Sequence, residues 1–369
     1  MATLDEKINL LRGLLTGEVA KTGPFYVDID LTRRCNLQCL GCPYHSPHVN
    51  DTSLQNPAMM DISSDLFKRL CSELKTMNTH SLILQGAGEP LLHPDVFEMI
   101  SAAKAAGFHV TLITNGTLLD RDIIQALIDA RLDTLKVSLW ASSTEQYQQN
   151  YPGTNPDNFR EVVDGLKLLA SLKAERNSIL PMVQLHHPIN RYNFQTIDTL
   201  VDLALRTGCT GLSFAPFRSF GVGALASFML SAGEEQLVQL SLLQARRRLN
   251  SLSMSHNIDE VLMRYELGSA VWQKLPCYIA WIHARIRVDG TVQPCGSCNV
   301  AFGNLYENTL HQVWNGSAIR AFRRQTLTCK GLASISEPCG CHFCCYVGDN
   351  MRVHRFFRWL SPFVHRSGN

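Results

Sequence analysis

The chain has 369 residues, 18% of them charged, and a formal net charge of +2. A charge so near balance gives no footprint for nucleic acid, and no run is long and apolar enough for a transmembrane helix. The length suits one large domain and a smaller companion, and no secretory signal pattern is present, so a cytoplasmic protein is expected. In chain order, Asp5–Glu18 alternates leucines with charges and predicts an amphipathic helix that covers the domain after it.

Phe25–Leu31 reads as a strand, and a loop with Cys35, Cys39 and Cys42 follows it at once. Thiolates at C-x3-C-x2-C can hold three irons of a four-iron cluster and leave the fourth open to a second ligand. Zinc is the alternative, with His45 or His48 completing the set, although structural zinc favours paired knuckles.

The middle of the chain alternates strands with helices. Strands are predicted at Ser81–Gln85, Phe108–Thr114, Thr134–Leu139, Ile179–His186 and Gly211–Ala215. Several are nearly continuous apolar runs, which suits strands covered on both faces. Helices are predicted at Ser64–Met77 with Ser63 or Ser64 as cap, at Asp95–Ala106 stopped by Gly107, at Asp120–Ala130, and at Phe194–Thr207 stopped by Gly208. Such alternation implies parallel strands joined by right-handed crossovers, with functional residues at the strands' C-terminal ends.

These features together resemble the radical S-adenosylmethionine (SAM) superfamily. The resemblance implies an α/β fold, a partial (βα)6 TIM-like barrel, with Cys35, Cys39 and Cys42 on a 4Fe–4S cluster whose open iron is chelated by SAM. One electron from that cluster would cleave SAM to a 5′-deoxyadenosyl radical that takes hydrogen from substrate. Gly86-Ala87-Gly88-Glu89 is similar to the family's GGE-type motif, with alanine displacing one glycine. Gly88, Glu89, Asn115 and Ser138 are the SAM contacts that the resemblance implies. Two positions depart from the family pattern: Gly41 stands where an aromatic residue often precedes the third cysteine, and Trp140 where an Asp often follows the serine.

Eight of the thirteen cysteines lie between Cys277 and Cys345, while Cys71 and Cys209 read as packing residues. Cys277, Gly290 and Cys295 read C-x12-G-x4-C, and Asp289-Gly290 between β-like runs signals a type I′ hairpin that returns Cys295 toward Cys277. Cys341 and Cys344 add a C-x2-C pair. The field resembles the twitch form of the SPASM domain, a small hairpin-and-helix unit after the barrel. The resemblance implies at least one auxiliary 4Fe–4S cluster on Cys277, Cys295, Cys341 and Cys344. Two clusters, a zinc ribbon and disulfides are the other uses of eight thiols, the last disfavoured by the reducing compartment that the first loop needs.

These readings divide the chain into a barrel with its N-terminal helix (1–235), a helical connection (236–275), the auxiliary domain (276–350) and a basic aromatic tail (351–369). The tail reads as a helix packed over the auxiliary domain, with membrane-surface contact as the alternative. The function implied is oxidation of a small molecule or carbohydrate, with the auxiliary cluster accepting an electron and a flavodoxin or ferredoxin supplying the first one. A peptide-modifying SPASM maturase is the alternative. It is set second because only about two dozen residues precede the first strand, too few for a peptide-recognition domain. A non-catalytic iron–sulfur electron carrier is the alternative of another class. Gln184, His186, His187 and Arg218, at strand ends, are the candidate substrate contacts.

Overall fold

The computed structural model describes residues 3–49, 60–219, 223–268, 270–335 and 344–364, with side chains as far as Phe357. The strands are β1 (Tyr26–Asp30), β2 (Ser81–Gln85), β3 (His109–Thr114), β4 (Thr134–Ser138), β5 (Met182–Ile189), β6 (Gly211–Pro216), β7 (Ser255–His256), β8 (His283–Ile286), β9 (Thr291–Gln293) and β10 (Gly303–Asn304). The helices are α1 (Leu4–Thr16), α2 (Ser64–Thr76), α3 (Val96–Ala105), α4 (Arg121–Asp129), α5 (Thr144–Asn150), α6 (Asn158–Glu175), α7 (Ile197–Arg206), α8 (Ala232–Ser251), α9 (Ile258–Leu267), α10 (Leu310–Trp314), α11 (Ser317–Thr326), α12 (Cys329–Ala333) and α13 (Val347–Val364). β1 to β6 are all parallel, as the alternation predicts.

Local chemistry sets the boundaries. Ser63 caps α2 through its hydroxyl, and Thr3 with Glu6 forms a capping box on α1. Gly107 and Gly208 follow α3 and α7 at φ of 96° and 69°, a backbone that glycine adopts without penalty. β5 starts three residues later than the apolar run at Ile179, beyond Pro181, which has no N–H for a ladder.

One sheet unites the whole molecule. Its order is β10-β9-β8-β1-β2-β3-β4-β5-β6-β7, so the hairpin after Cys277 is hydrogen-bonded directly to the first barrel strand. The 236–275 segment is helical and also contributes β7, which pairs with β6. The hairpin turn differs from the type I′ expectation. Arg287 N–H donates to Thr291 O, Gly290 N–H donates to Arg287 O, and of Asp289 and Gly290 only the glycine has positive φ (78°). This is a three-residue loop with a bulge at glycine, and it still brings Cys295 back toward Cys277.

The strand faces also differ from expectation. In β2 through β5 one face is fully buried against helices, including Leu82, Leu84, Val110, Leu112, Leu135, Val137, Val183 and Leu185. The alternate residues, such as Gln85, Thr111, Lys136, Ser138, Gln184 and His186, are only half-buried. They line an open, polar lumen, so the strands are not apolar on both sides.

Candidate cluster and cofactor site

The residues at the C-terminal ends of β1 to β4 converge. After β1 the chain turns into the cysteine loop, where Cys42 N–H donates to Cys39 O at 3.0 Å. The N–H groups of Tyr44 and His45 donate to Cys42 Sγ at 3.4 and 3.3 Å. Such donors favour sulfur that carries negative charge. Burial pushes the Cys35 thiol up to about 11 and the Cys39 and Cys42 thiols upward, and Cys35 and Cys42 add their repulsion at Cys39. Thiolates held this close would be stabilised by a cationic group among them, a part that iron would fit. Among the described residues no three His, Cys, Asp or Glu side chains gather as ligands of a single metal ion. The spacing of the three thiols fits a multi-iron cluster, one thiolate to each of three irons.

The Gly86–Glu89 turn is bolted to the base of this loop. Gly88 N–H donates to Thr32 O at 2.9 Å and Glu89 N–H to Arg34 O at 2.7 Å. A Cβ on Gly88 would lie 2.0 Å from the Arg34 carbonyl oxygen, so this position requires glycine. Glu89 is 2% exposed. Its carboxylate accepts from Leu91 N–H (3.0 Å), Thr114 Oγ1 (2.7 Å) and Asn115 N–H (2.7 Å), which locks the end of β2 to the end of β3. Burial raises its pKa against these donors. Asn115 Nδ2 donates to Asn36 Oδ1 at 2.9 Å, joining that edge to the cysteine loop. Ser138 Oγ accepts from Trp140 Nε1 at 3.0 Å.

The two departures from the family pattern compensate each other. A Cβ on Gly41 would meet the Phe217 ring at 2.4 Å and the Trp140 ring at 2.7 Å. The volume that an aromatic residue at 41 would take is filled by Trp140 and Phe217. Behind them Tyr147 and Tyr151 stack at 4.2 Å, Tyr151 Oη accepts from Trp140 N–H, and Leu40 N–H donates to Asn150 O. The 140–151 run is therefore the buried anchor of the cysteine loop. An open cavity of about 820 Å³ lies against the loop, lined by Cys35, Asn36, Gln38, Tyr44, His45 and Asn155 among others.

The second thiol set is buried. Cys277, Cys295, Cys298 and Cys344 line one cavity with Phe322 and Tyr346. Three of the four expected auxiliary ligands meet here, and Cys341 lies outside the described residues. Cys298 also lines the cavity but is disulfide-bonded in this structure, so it is not one of the free thiols. The soft, buried donor set fits an iron–sulfur cluster.

Arg285 couples the two sites. Its guanidinium grips Asp30 with bonds of 2.9 to 3.2 Å, donates to Tyr44 Oη at 3.2 Å, and packs under Gly296, beside Cys295. Arg33 pairs with Asp289 at the hairpin turn at 3.2 Å. Of the candidate substrate contacts, His187 is fully buried on the helix side, where its Nδ1 meets Leu139 O at 2.8 Å, and it does not face the lumen. Gln184 and His186 do face it, and Arg218 reaches Ser297 Oγ at 2.5 Å.

Residues 29–204 match the model of the radical SAM superfamily, and residues 277–345 match SPASM, an iron–sulfur cluster-binding domain. The chain belongs to the radical SAM superfamily. It is an enzyme of that group, with a cluster and SAM at the barrel and iron–sulfur binding in the SPASM domain. The AdoMet-dependent heme synthase of Methanosarcina barkeri is 25% identical over 85% of this chain and 88% of its own. The PqqA peptide cyclase of Gluconobacter oxydans is 27% identical over 86% of this chain and 82% of its own. The structure of native anSMEcpe with bound AdoMet shares the fold at a TM-score of 0.65 and 16% identity, covering 93% of this chain and 99% of that one. Among the described residues no helix is long and apolar enough to cross a membrane.

Proposed function

We propose that this radical SAM enzyme modifies a peptide or protein substrate by oxidative chemistry. The observation that carries the reading is the row of half-buried polar side chains on the inner face of β2 to β5, in a sheet that β8 and β9 extend into the SPASM hairpin. Likeness to a PqqA peptide cyclase over most of both chains supports a peptide over the small molecule or carbohydrate expected first. Likeness to a heme synthase favours a second reading, a non-peptide substrate.

Bound SAM and its cluster supply the abstraction of a hydrogen atom. The chain's own part is to hold the reacting groups. Cys35, Cys39 and Cys42 fix the cluster; Gly88, Glu89, Asn115 and Ser138 form the polar edge for SAM. Glu89 spends three acceptor positions on the protein and, with about four available, keeps one for an ammonium group. Cys277, Cys295, Cys341 and Cys344, with Cys298 beside them, hold the auxiliary cluster, whose role is to take an electron from the substrate. A flavodoxin- or ferredoxin-type protein in the cytoplasm is the reductant.

The test supplies anaerobic holoenzyme, SAM and dithionite with a perdeuterated extract of the organism that encodes the chain, split into peptide and low-molecular-mass pools. Deuterium in 5′-deoxyadenosine is expected from the peptide pool. Deuterium from the low-molecular-mass pool alone replaces this reading with the second one.

A further inference from the structure

Trp140 lies where the cysteine loop meets the polar edge for SAM. Leu139 N–H still donates to His186 O at 2.9 Å, so the chain stays extended past the end of β4. The alternation of side chains then puts Trp140 on the same face as Ser138, one pleat nearer the rim. Both backbone groups of Trp140 are held: its N–H donates to Tyr151 Oη at 3.0 Å, and its carbonyl accepts from Asn193 Nδ2 at 3.0 Å. The indole is half-buried. At one end its Nε1 donates to Ser138 Oγ at 3.0 Å. At the other, Cζ3 lies so near Gly41 that a Cβ there would be 2.7 Å away. The ring therefore spans from the end of β4 to the residue before Cys42. Phe217 meets it edge-on, at 6.1 Å and 70°, and Tyr151 is tilted, at 6.2 Å and 53°. Neither of these rings stacks flat on the indole.

We propose that Trp140 is the platform on which the adenine of SAM stacks. This rests on the polar edge assigned to SAM above. Gly88, Glu89, Asn115 and Ser138 supply backbone, carboxylate, amide and hydroxyl groups for the polar parts of SAM, and none of them offers a π surface to the base. The indole held between Ser138 and Gly41 offers one. Stacking on it requires no charge and no donor from the protein, so tryptophan can serve at a position where the family often has Asp. The departure at 41 belongs to the same device, because a side chain before Cys42 would take the space of the indole.

The test uses anaerobic, cluster-loaded protein without reductant, dialysed to equilibrium against methyl-labelled SAM or methyl-labelled methionine, with binding expressed per iron. Methionine carries the same amine and carboxylate and lacks the adenosyl group, so it reports on the cluster and the polar edge alone. Trp140→Leu is expected to weaken SAM about tenfold or more, as loss of a base stack does, and to leave methionine unchanged. Trp140→Phe keeps a ring and gives up the bond to Ser138, and it is expected to bind SAM within about threefold of wild type. An equal loss of SAM and methionine in Trp140→Leu would make Trp140 a support of the cysteine loop and overturn the inference. SAM binding as weak in Trp140→Phe as in Trp140→Leu would assign the effect to the bond with Ser138 and overturn it too. Wild-type affinity for SAM in Trp140→Leu would remove the platform and leave the polar edge standing. A wild type that binds neither SAM nor methionine would overturn the polar edge and the platform with it.

Discussion

The two thiol sites of this enzyme are built in opposite ways. Cys35, Cys39 and Cys42 come from one loop, are half-buried, and sit beside an open cavity. Cys277, Cys295, Cys298 and Cys344 come from three separated segments and are at most 7% exposed, among aromatic side chains. The first must admit SAM and an electron, so it needs access. Under the proposed function the second would serve electron transfer alone, which tolerates burial. A local loop can evolve within a few residues, whereas the buried set exists only because β8 and β9 extend the barrel sheet and α13 returns to cover it.

The largest effect that sharpens this contrast is expected from Cys35→Ala. Production of 5′-deoxyadenosine is lost altogether, and the iron count of anaerobic protein falls from about eight to about four. Cys344→Ser should lose a similar amount of iron and all product, yet still cleave SAM without turnover of substrate. If Cys344→Ser also abolished SAM cleavage, the two sites would not be separable. Cys298→Ser, assayed for iron alone, is expected to leave the count unchanged, because Cys277, Cys295, Cys341 and Cys344 already supply four thiolates; lost iron would make Cys298 a ligand. In the wild type, an added chelator should remove iron in two phases, the barrel cluster first, because among the described residues that set borders an open cavity while Cys277, Cys295 and Cys344 are buried.

The same contrast explains what the sequence disclosed. The first loop was legible because its three cysteines lie within one short spacing, and the placement of Glu89, Asn115 and Ser138 followed from strand ends. The lumen was not legible. Leu135 and Val137 around Lys136 read as an apolar run, and only the register shows that they face helices while Lys136 faces inward. Cys298 was passed over because proximity there depends on a hairpin turn and a distant helix. The Asp289–Gly290 signal gave the hairpin correctly and the turn type incorrectly, since only one residue takes positive φ. The leaning toward a small molecule weighed the residues before β1, while what favours a peptide lies in the relatives and the open lumen.

A smaller effect tests whether the sites are mechanically joined. Asp30 is 1% exposed and Arg285 8%, so Arg285→Met leaves a buried carboxylate without its partner. A loss of about 3–5 kcal/mol is expected, read as a lower thermal midpoint of anaerobic protein. Asp30→Asn combined with Arg285→Met removes the stranded charge and should recover much of that loss. A double variant as unstable as the single one would show that Arg285 acts by packing under Gly296, and its hold on Asp30 would not be the coupling.

The smallest effect concerns the loop's own support. Gly41→Ala places a methyl group against Phe217 and Trp140, both closer than van der Waals contact allows. Overpacking of this kind costs about 1–3 kcal/mol, and here the strain falls one residue before Cys42. The barrel cluster should therefore lose iron to a chelator faster in Gly41→Ala, while the auxiliary phase stays unchanged. Trp140→Leu in the same chain removes the opposing ring and is expected to slow the loss again, although Trp140→Leu alone frees Ser138 Oγ and removes the tilted ring contact with Tyr151. Non-additivity of that sign follows only if the glycine and the tryptophan occupy one shared volume. Additive effects would mean that each departure from the family pattern is tolerated separately and that the aromatic anchor does not hold the cysteine loop.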